Sequence, residues 1–191
     1  MKICDSKQCT GCGACANICP AGCIDMIPNK QGFLYPAILK NQCLNCGLCT
    51  KACPVMQSAE MHTNFTAYAA AFIQDENALK KSSSGGIAYG LSKIIIEESG
   101  LVFGAIYDKN MICKHTVIEN VPNLEKLQGS KYVQSEIGAT YKMVRRFLLE
   151  NKRVMFIGTP CQVDGLKTYL SAGCVNTANL YTIDLLCGGV P

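Results

Sequence analysis

Short apolar runs alternate with polar and glycine-containing stretches along most of this 191-residue chain. Residues 24–27 are apolar except for Asp25, residues 33–39 are apolar, and the polar stretch between them ends in Gly32. Two apolar runs joined by a short turn that contains glycine predict a β-hairpin. Residues 101–107 and 112–118 flank a short turn, residues 108–111, and predict a second hairpin.

The remaining apolar stretches follow two different spacings. Helical spacing of the apolar residues predicts three helices, over residues 87–98, 137–150 and 162–170. Short, mostly apolar runs predict a buried strand over residues 65–73 and two further strands over residues 153–157 and 180–186. Because strands alternate with helices, this part of the chain predicts an α/β sheet, and the second hairpin makes that sheet mixed.

The cysteines divide the chain into two parts. Ten of the fourteen lie within residues 1–57, whereas residues 65–191 have an ordinary globular composition. Residues 58–64 are polar and predict a linker between the two parts. We therefore predict an α+β protein, in which a small cysteine-rich domain precedes a mixed α/β domain over residues 65–191.

Eight of the ten N-terminal cysteines form the motif C-x2-C-x2-C-x3-C-P, which occurs twice. Three thiolates at this spacing can hold three corners of a cubane cluster, and in bacterial two-cluster ferredoxins the fourth cysteine ligates the other cluster. The motif therefore predicts a bacterial-type ferredoxin domain with two 4Fe-4S clusters. The predicted ligands are Cys9, Cys12, Cys15 and Cys53 for cluster 1, and Cys43, Cys46, Cys49 and Cys19 for cluster 2.

Zinc sites and disulfide frameworks are the alternatives for a cysteine-rich segment. Zinc does not require a third cysteine at equal spacing or a C-x3-C-P end, and residues 1–5 show no signal-peptide pattern. Reduced thiols and oxygen-sensitive clusters predict a cytoplasmic protein. Cys4 and Cys23 lie outside the repeat, and we interpret them as non-ligands. We expect the first hairpin to lie over the clusters and to exclude water.

The formal charge of +4 does not indicate a nucleic-acid partner, because no run of lysine or arginine exceeds two residues. No apolar stretch approaches the roughly 18 residues of a membrane span, so we predict no membrane span.

Two loops of the second part are candidate cofactor sites. The first, residues 82–86, places serines and glycines before a predicted helix, which suits a flavin or nucleotide pyrophosphate. The second, residues 129–135, combines a turn glycine with a cation and an aromatic ring. The candidate binding residues are Ser83, Ser84, Gly85, Gly86, Lys131 and Tyr132. Helix capping without a ligand and an ordinary surface loop remain the alternatives.

Cys161 follows a predicted strand at the start of a predicted helix, where the backbone dipole favours a thiolate. It is therefore a candidate ligand or redox thiol, and a small buried cysteine is the equal alternative. Cys187 also lies at the end of a predicted strand. Two thiols at neighbouring strand ends could share one metal centre.

These motifs in this order resemble the family of coenzyme F420 hydrogenase/dehydrogenase beta subunits. Five elements match: the twin cysteine motifs and residues 83–86, 129–133, 158–162 and 184–191. The resemblance implies an iron–sulfur flavoprotein, with FAD at the serine/glycine loop and F420 or another small molecule as acceptor. It also implies that Cys161 and Cys187 are two ligands of a third 4Fe-4S cluster, whose other ligands lie further along a full-length chain.

The chain departs from the family pattern in two ways. Glycine stands at Gly188, where family members usually have histidine, and family members continue past the position of Pro191. We therefore expect a C-terminally truncated domain without a complete third cluster. Two functions remain open. One is an oxidoreductase subunit that works with a partner subunit or a soluble electron carrier, and the other is an electron-transfer module without its own catalytic site.

Overall fold

A computed structural model of the chain describes residues 2–57 and 67–189. The predicted linker at residues 58–64 lies outside the described residues. The described residues form a small cysteine-rich part and a four-stranded mixed sheet flanked by helices, which confirms the predicted fold class. The exact boundary between the two domains stays a prediction. Of the helices in these residues, none has the length and apolar character needed to cross a membrane.

Two short helices begin at equivalent points of the two cysteine motifs. Helix α1 (Ala14–Ile18) starts after Gly13, and helix α2 (Leu48–Lys51) starts after Gly47. The φ angles of these glycines, 75° and 74°, lie in the left-handed region, which glycine adopts without steric cost. The glycine after the second cysteine of each motif therefore allows the loop to turn directly into a helix.

The first predicted hairpin is confirmed. Strands β1 (Ile24–Pro28) and β2 (Leu34–Ile38) pair in antiparallel fashion. The Asn29 side chain closes the turn, because its Oδ1 accepts hydrogen bonds from the amides of Gln31 and Phe33 at 2.9 and 3.0 Å. Gly32 completes the turn with a φ angle of 90°.

The described residues of the second part contain four α-helices and four strands, besides the 3₁₀ segment Val121–Leu127. In chain order they are α3 (Glu76–Lys81), α4 (Ile87–Glu97), β3 (Leu101–Tyr107), β4 (Cys113–Ile118), α5 (Thr140–Leu149), β5 (Val154–Gly158), α6 (Pro160–Ala172) and β6 (Leu180–Asp184). The strand order is β4-β3-β5-β6. β3 pairs antiparallel with β4 and parallel with β5, and β5 pairs parallel with β6. The predicted second hairpin and the mixed sheet are therefore confirmed.

The sheet is covered on both faces, and the central strand β5 is buried along its whole length. Val154 and Phe156 belong to a core formed with α5 and α6. Met155 and Ile157 belong to a second core on the opposite face, with α4 and the 3₁₀ segment Val121–Leu127. This alternation follows from the two-residue period of a strand. A strand buried on both faces is almost continuously apolar, as the sequence of β5 is.

The cysteine-rich part packs directly against this domain. Ala14 of α1 is fully buried in the core that contains α5 and α6. The Asn17 side chain donates a hydrogen bond to the carbonyl of Gly138 at 2.8 Å. The Thr168 hydroxyl of α6 donates to the carbonyl of Ala52 at 2.7 Å. Helix α6 and the start of α5 therefore anchor the loops of both cysteine motifs.

The predicted strand over residues 65–73 is wrong for the part that the structure describes. Residues 67–73 form no strand, and all but one of them are exposed. Ile73 contacts the serine/glycine loop, because its amide donates to the carbonyl of Gly85 at 2.8 Å. The described end of the apolar run therefore lies against the loop that precedes α4, and residues 67–73 are not part of the sheet.

We expect Phe156→Ala to lower the free energy of unfolding by about 3 to 5 kcal/mol, because it leaves a cavity in a fully buried part of the core. Leu149→Ala is the control, because Leu149 is 58% exposed. It should change the free energy by less than about 0.5 kcal/mol. Anaerobic urea unfolding followed by circular dichroism measures both. Equal effects of the two variants would contradict the described core.

Candidate functional site

Two cavities in the cysteine-rich part contain the cysteines of the twin motif. Cavity 1 is lined by Cys9, Cys12, Cys15 and Cys53, together with Cys4. Cavity 2 is lined by Cys19, Cys43, Cys46 and Cys49, together with Cys23. Each cavity therefore contains three cysteines of one motif and the last cysteine of the other. In the described residues, no three Cys, His, Asp or Glu side chains form a group that could hold a single metal ion.

The first hairpin forms an apolar wall of both cavities. The cross-strand pair Ile24 and Ile38 lines cavity 2, and the pair Met26 and Pro36 lines cavity 1. Side chains two residues apart on a strand lie on the same face, so one face of the hairpin covers both cavities. This arrangement agrees with the expectation that the hairpin excludes water.

Burial perturbs the thiols of cavity 1. It raises the pKa of Cys12 to about 11 and also raises the pKa of Cys15. Thiols must lose their protons to bind metal, so metal binding here would be accompanied by proton release. Four soft sulfur donors around a largely apolar cavity fit an iron–sulfur cluster.

A fifth thiol lies in each cavity. Burial and the neighbouring thiols of Cys53 and Cys9 raise the pKa of Cys4 to about 12. The Sγ atom of Cys23 lies 3.5 Å from that of Cys19, and this interaction, followed by burial, raises the pKa of Cys23 to about 11. The sequence placed both residues outside the repeat, whereas the structure places both thiols against predicted cluster ligands.

Helix α6 approaches cavity 1 through Gly165. A Cβ atom at this position would lie 3.0 Å from the Cys12 Sγ and 3.0 Å from the Tyr141 hydroxyl oxygen. Tyr141 is fully buried, and its hydroxyl donates to the carbonyl of Gln162 at 2.8 Å. The absence of a side chain at Gly165 therefore allows α6 to pack against a cysteine of cavity 1. No sequence pattern distinguished this glycine.

Cys161 lies in the first turn of α6, and its Sγ is 3.2 Å from the Thr159 Oγ1. Cys187 is exposed and follows the end of β6. The two strands that precede these cysteines are neighbours, because Gly158 of β5 pairs with Asp184 of β6. The expected juxtaposition of the two strand ends is therefore present, and the role of both thiols as ligands stays a prediction.

The structure brings the two predicted cofactor loops together. The Ser130 hydroxyl donates to the Ser83 hydroxyl oxygen at 2.9 Å. The packing explains the glycine at position 85 without a ligand, because a Cβ atom on Gly85 would lie 2.5 Å from the carbonyl oxygen of Ala71. Ser83 and Ser84 are exposed at the surface of this loop pair.

The two candidates of the second loop, Lys131 and Tyr132, have different surroundings. The Lys131 ammonium lies within hydrogen-bond distance of four backbone carbonyl oxygens, those of residues 126–129, at 2.9 to 3.2 Å, and its three N–H groups are shared among them. Burial lowers the pKa of this lysine. Tyr132 is 78% exposed. Lys131 therefore caps the end of the preceding 3₁₀ segment, and Tyr132 lies at the surface.

The segment 129–135 also reaches cavity 1. The Gln134 side chain accepts a hydrogen bond from the amide of Leu34 at 2.9 Å and donates to the carbonyl of Thr10 at 3.5 Å. Thr10 and the adjacent Gly11 line cavity 1. One continuous segment therefore contacts the serine/glycine loop at Ser130 and the first cysteine motif at Gln134.

A buried polar network fixes the end of this segment to the start of α6. Gln162 Nε2 donates to the Ser135 hydroxyl oxygen at 2.9 Å, and this hydroxyl lies 3.0 Å from His115 Nδ1. His115 Nε2 lies 3.0 Å from the carbonyl oxygen of Ile157, which requires the proton on Nε2. The Ser135 hydroxyl can then donate to Nδ1. Burial lowers the pKa of His115 to about 4.

We expect Gly165→Ala to lower the free energy of unfolding by about 1 to 3 kcal/mol, because the added methyl overpacks against Cys12 and Tyr141. Helix propensity alone predicts the opposite, a gain of about 1 kcal/mol. Gly173→Ala is the control at the end of α6, where a Cβ has room 3.5 Å from its nearest neighbour. Chemical denaturation of both variants measures their free energies of unfolding. A stabilised Gly165→Ala protein would refute the close contact.

The neutral state of His115 makes stability depend on pH. The pKa of His115 is about 4 in the folded protein, and the ordinary value is 6.5. Its contribution to the free energy of unfolding is therefore complete above pH 6.5 and is lost as the pH falls towards 4. The full loss is about 3 kcal/mol. His115→Gln should flatten the slope of unfolding free energy against pH between 7 and 5, as measured by urea denaturation. An unchanged slope in the variant would exclude His115 as its source.

Comparisons with known proteins agree with the motifs. Residues 8–56 match the model of the 4Fe-4S dicluster domain. Residues 151–191 match the model of the C terminus of the coenzyme F420 hydrogenase/dehydrogenase beta subunit. The N-terminal part is therefore an iron–sulfur domain of an electron-transfer protein.

Two of the proteins that are similar to the chain show how far the similarity extends. The coenzyme F420-dependent sulfite reductase of Methanocaldococcus jannaschii is 28% identical over 171 residues, which cover 87% of this chain and 26% of that protein. The chain thus spans about a quarter of the length of this curated relative. A chain from the F420-reducing NiFe hydrogenase complex of Methanosarcina barkeri has a TM-score of 0.49 and 22% identity, over 61% of this chain and 42% of that chain. Two stretches of the chain, residues 8–56 and 151–191, therefore match the 4Fe-4S dicluster domain and the C terminus of the F420 hydrogenase/dehydrogenase beta subunit, in the order that the motifs predicted.

Proposed function

We propose that this chain is an iron–sulfur oxidoreductase subunit that passes electrons between two 4Fe-4S clusters and FAD, for the reduction or oxidation of F420 or another small acceptor. The observation that most supports this function is the position of segment 129–135. Its Ser130 contacts the serine/glycine loop, and its Gln134 contacts the first cysteine motif. A single short segment thus joins the proposed flavin site to the proposed cluster site.

The proposed ligands of cluster 1 are Cys9, Cys12, Cys15 and Cys53, and those of cluster 2 are Cys43, Cys46, Cys49 and Cys19. The lining of the two cavities supports this assignment, since each set surrounds one cavity. When bound, the clusters supply single-electron transfer, and the flavin couples it to two-electron chemistry. The apolar hairpin residues would keep water away from the cysteine sulfurs, which influences the reduction potential.

Cavity 1 is the better candidate for exchange with the second domain. Cys12 lies against Gly165 of α6, and Gly11 and Thr10 lie beside Gln134. Cys46 of cavity 2 is exposed instead. We therefore propose that cluster 2 exchanges electrons with an external partner, and that cluster 1 communicates with the second domain.

The proposed flavin residues are Ser83, Ser84, Gly85 and Gly86, with Lys131 and Tyr132 from the second loop. The exposed hydroxyls of Ser83 and Ser84 offer hydrogen bonds to a pyrophosphate. Gly86 precedes α4 with a φ angle of 71°, so the backbone amides that follow it are at a helix start. Tyr132 offers an exposed ring for stacking against a planar group.

The proposed acceptor is inferred from the curated relative, which is named for its dependence on F420. The exposed position of Cys46 supports electron exchange with a separate molecule. We propose a partner oxidoreductase or a soluble electron carrier for this chain, in a reducing cytoplasmic environment. In a longer chain, Cys161 and Cys187 would be two ligands of a third cluster.

One observation favours the second candidate function, an electron-transfer module without its own catalytic site. The Lys131 ammonium is fully engaged by backbone carbonyls, so binding to a phosphate would require it to leave them. A module of this kind would contain the clusters but no flavin. The two functions therefore differ in cofactor content.

Anaerobic purification with iron, sulfide and flavin analysis tests the proposal. We expect about eight irons and about eight sulfides per chain, with one FAD. Ser84→Glu should retain the iron and lose the flavin, because its carboxylate repels a pyrophosphate. Ser171→Glu, at an exposed position of α6, is the charge-matched control and should retain both.

The results separate the hypotheses. Iron and sulfide without flavin would favour the electron-transfer module. Two zinc ions without sulfide would contradict both functions.

A further inference from the structure

We propose that Cys23 is an alternative fourth ligand of cluster 2, able to replace Cys19. The inference rests on the proposed function, because it requires a cluster in cavity 2. A cubane is held by four thiolates, and each cavity is lined by five cysteines. The repeat accounts for four of them. The fifth is the one to be explained.

The sulfur atoms of Cys23 and Cys19 are 3.5 Å apart. Two thiolates bound to one tetrahedral metal at about 2.3 Å have their sulfurs about 3.8 Å apart. A cubane iron takes one cysteine thiolate, so two sulfurs that lie this close together are alternatives for the same iron. Cys23 is 1% exposed and lines cavity 2, so its thiol points to the interior and not to solvent.

The backbone keeps the two cysteines together. A turn joins them, in which the amide of Gly22 donates to the carbonyl of Cys19 at 3.2 Å. The carbonyl of Cys23 accepts from the amide of Leu39 at 2.9 Å, which fixes it at the end of the first hairpin. Exchange between the two ligands therefore needs a side-chain rotation, and the main chain can stay in place.

Cavity 1 repeats this arrangement. The thiol of Cys4 interacts with those of Cys53 and Cys9, as the thiol of Cys23 interacts with those of Cys19 and Cys43. In both cavities the fifth thiol lies beside the first cysteine of one motif and the last cysteine of the other. The last cysteine is the ligand that crosses from the other motif. The fifth thiol lies beside it and is placed to substitute for it.

The exchange is balanced without an external reactant. The iron–sulfur bond to Cys19 breaks as the bond to Cys23 forms. The proton of the Cys23 thiol passes to the released Cys19 thiolate, and no electron is transferred. Iron content and cluster type therefore stay unchanged, while the identity of one ligand changes.

The test compares anaerobically purified variants by iron and sulfide content and by electron paramagnetic resonance. Cys19→Ala should retain about eight irons per chain, because Cys23 completes cluster 2. Cys19→Ala/Cys23→Ala should fall to about seven or about four irons, as a three-iron cluster or an empty cavity. Cys23→Ala alone should retain the wild-type content. The signal of cluster 1 reports that each variant is folded.

Cys46→Ala is the matched control, because Cys46 lines the same cavity from its exposed side. It should lose iron to the same extent as the double variant. If Cys19→Ala loses as much iron as the double variant, Cys23 is only a neighbouring thiol and the inference fails. If the wild-type chain itself lacks about eight irons, the proposed function fails instead. Cys53→Ala, with and without Cys4→Ala, extends the same comparison to cavity 1.

Discussion

The arrangement of this protein depends on the exchange of one cysteine between two copies of a motif. Each cavity contains three cysteines from one copy and the last cysteine of the other. Neither copy can therefore form its cavity alone, and the two loops must fold against each other. The hairpin between the copies lies over both cavities, because its cross-strand pairs alternate between them. The crossing of one cysteine between the copies thus brings the two loops together and places the hairpin over both cavities.

The second constraint is the close packing of α6 against cavity 1. Gly165 leaves the space that Cys12 and Tyr141 occupy, and Thr168 one turn later bonds to the loop of the second motif. The same helix begins beside the buried network of Gln162, Ser135 and His115. The position of the cysteine loops and the position of segment 129–135 are therefore set by one helix.

The sequence predicted those features that depend on local pattern. The grouping of the cysteines around each cavity follows from their spacing. Both hairpins, the three long helices and the mixed sheet follow from the periodicity of apolar residues and from the turn residues. The predicted strand over residues 65–73 was wrong for residues 67–73, because an apolar run does not specify whether a β-ladder partner is available. The short helices of the motifs were missed, since each has five residues or fewer and depends on tertiary packing.

Contacts between distant residues could not be predicted in this way. The repeat gave no reason to place Cys4 or Cys23 beside the predicted ligands, because their spacing matches neither motif. Lys131 was expected to be suited to a phosphate, whereas its ammonium caps a 3₁₀ segment through four carbonyls. Gly165 differs from other helical glycines only through residues about 24 and 150 positions away, Tyr141 and Cys12.

Electron paramagnetic resonance of the dithionite-reduced chain tests the central claim, that two cubane clusters lie side by side in cavities that share their ligands. Two reduced clusters at short distance interact magnetically, so the account predicts a broadened, spin-coupled spectrum that integrates to about two spins per chain. A spectrum of one isolated cluster, or of two clusters without coupling, would contradict the shared arrangement.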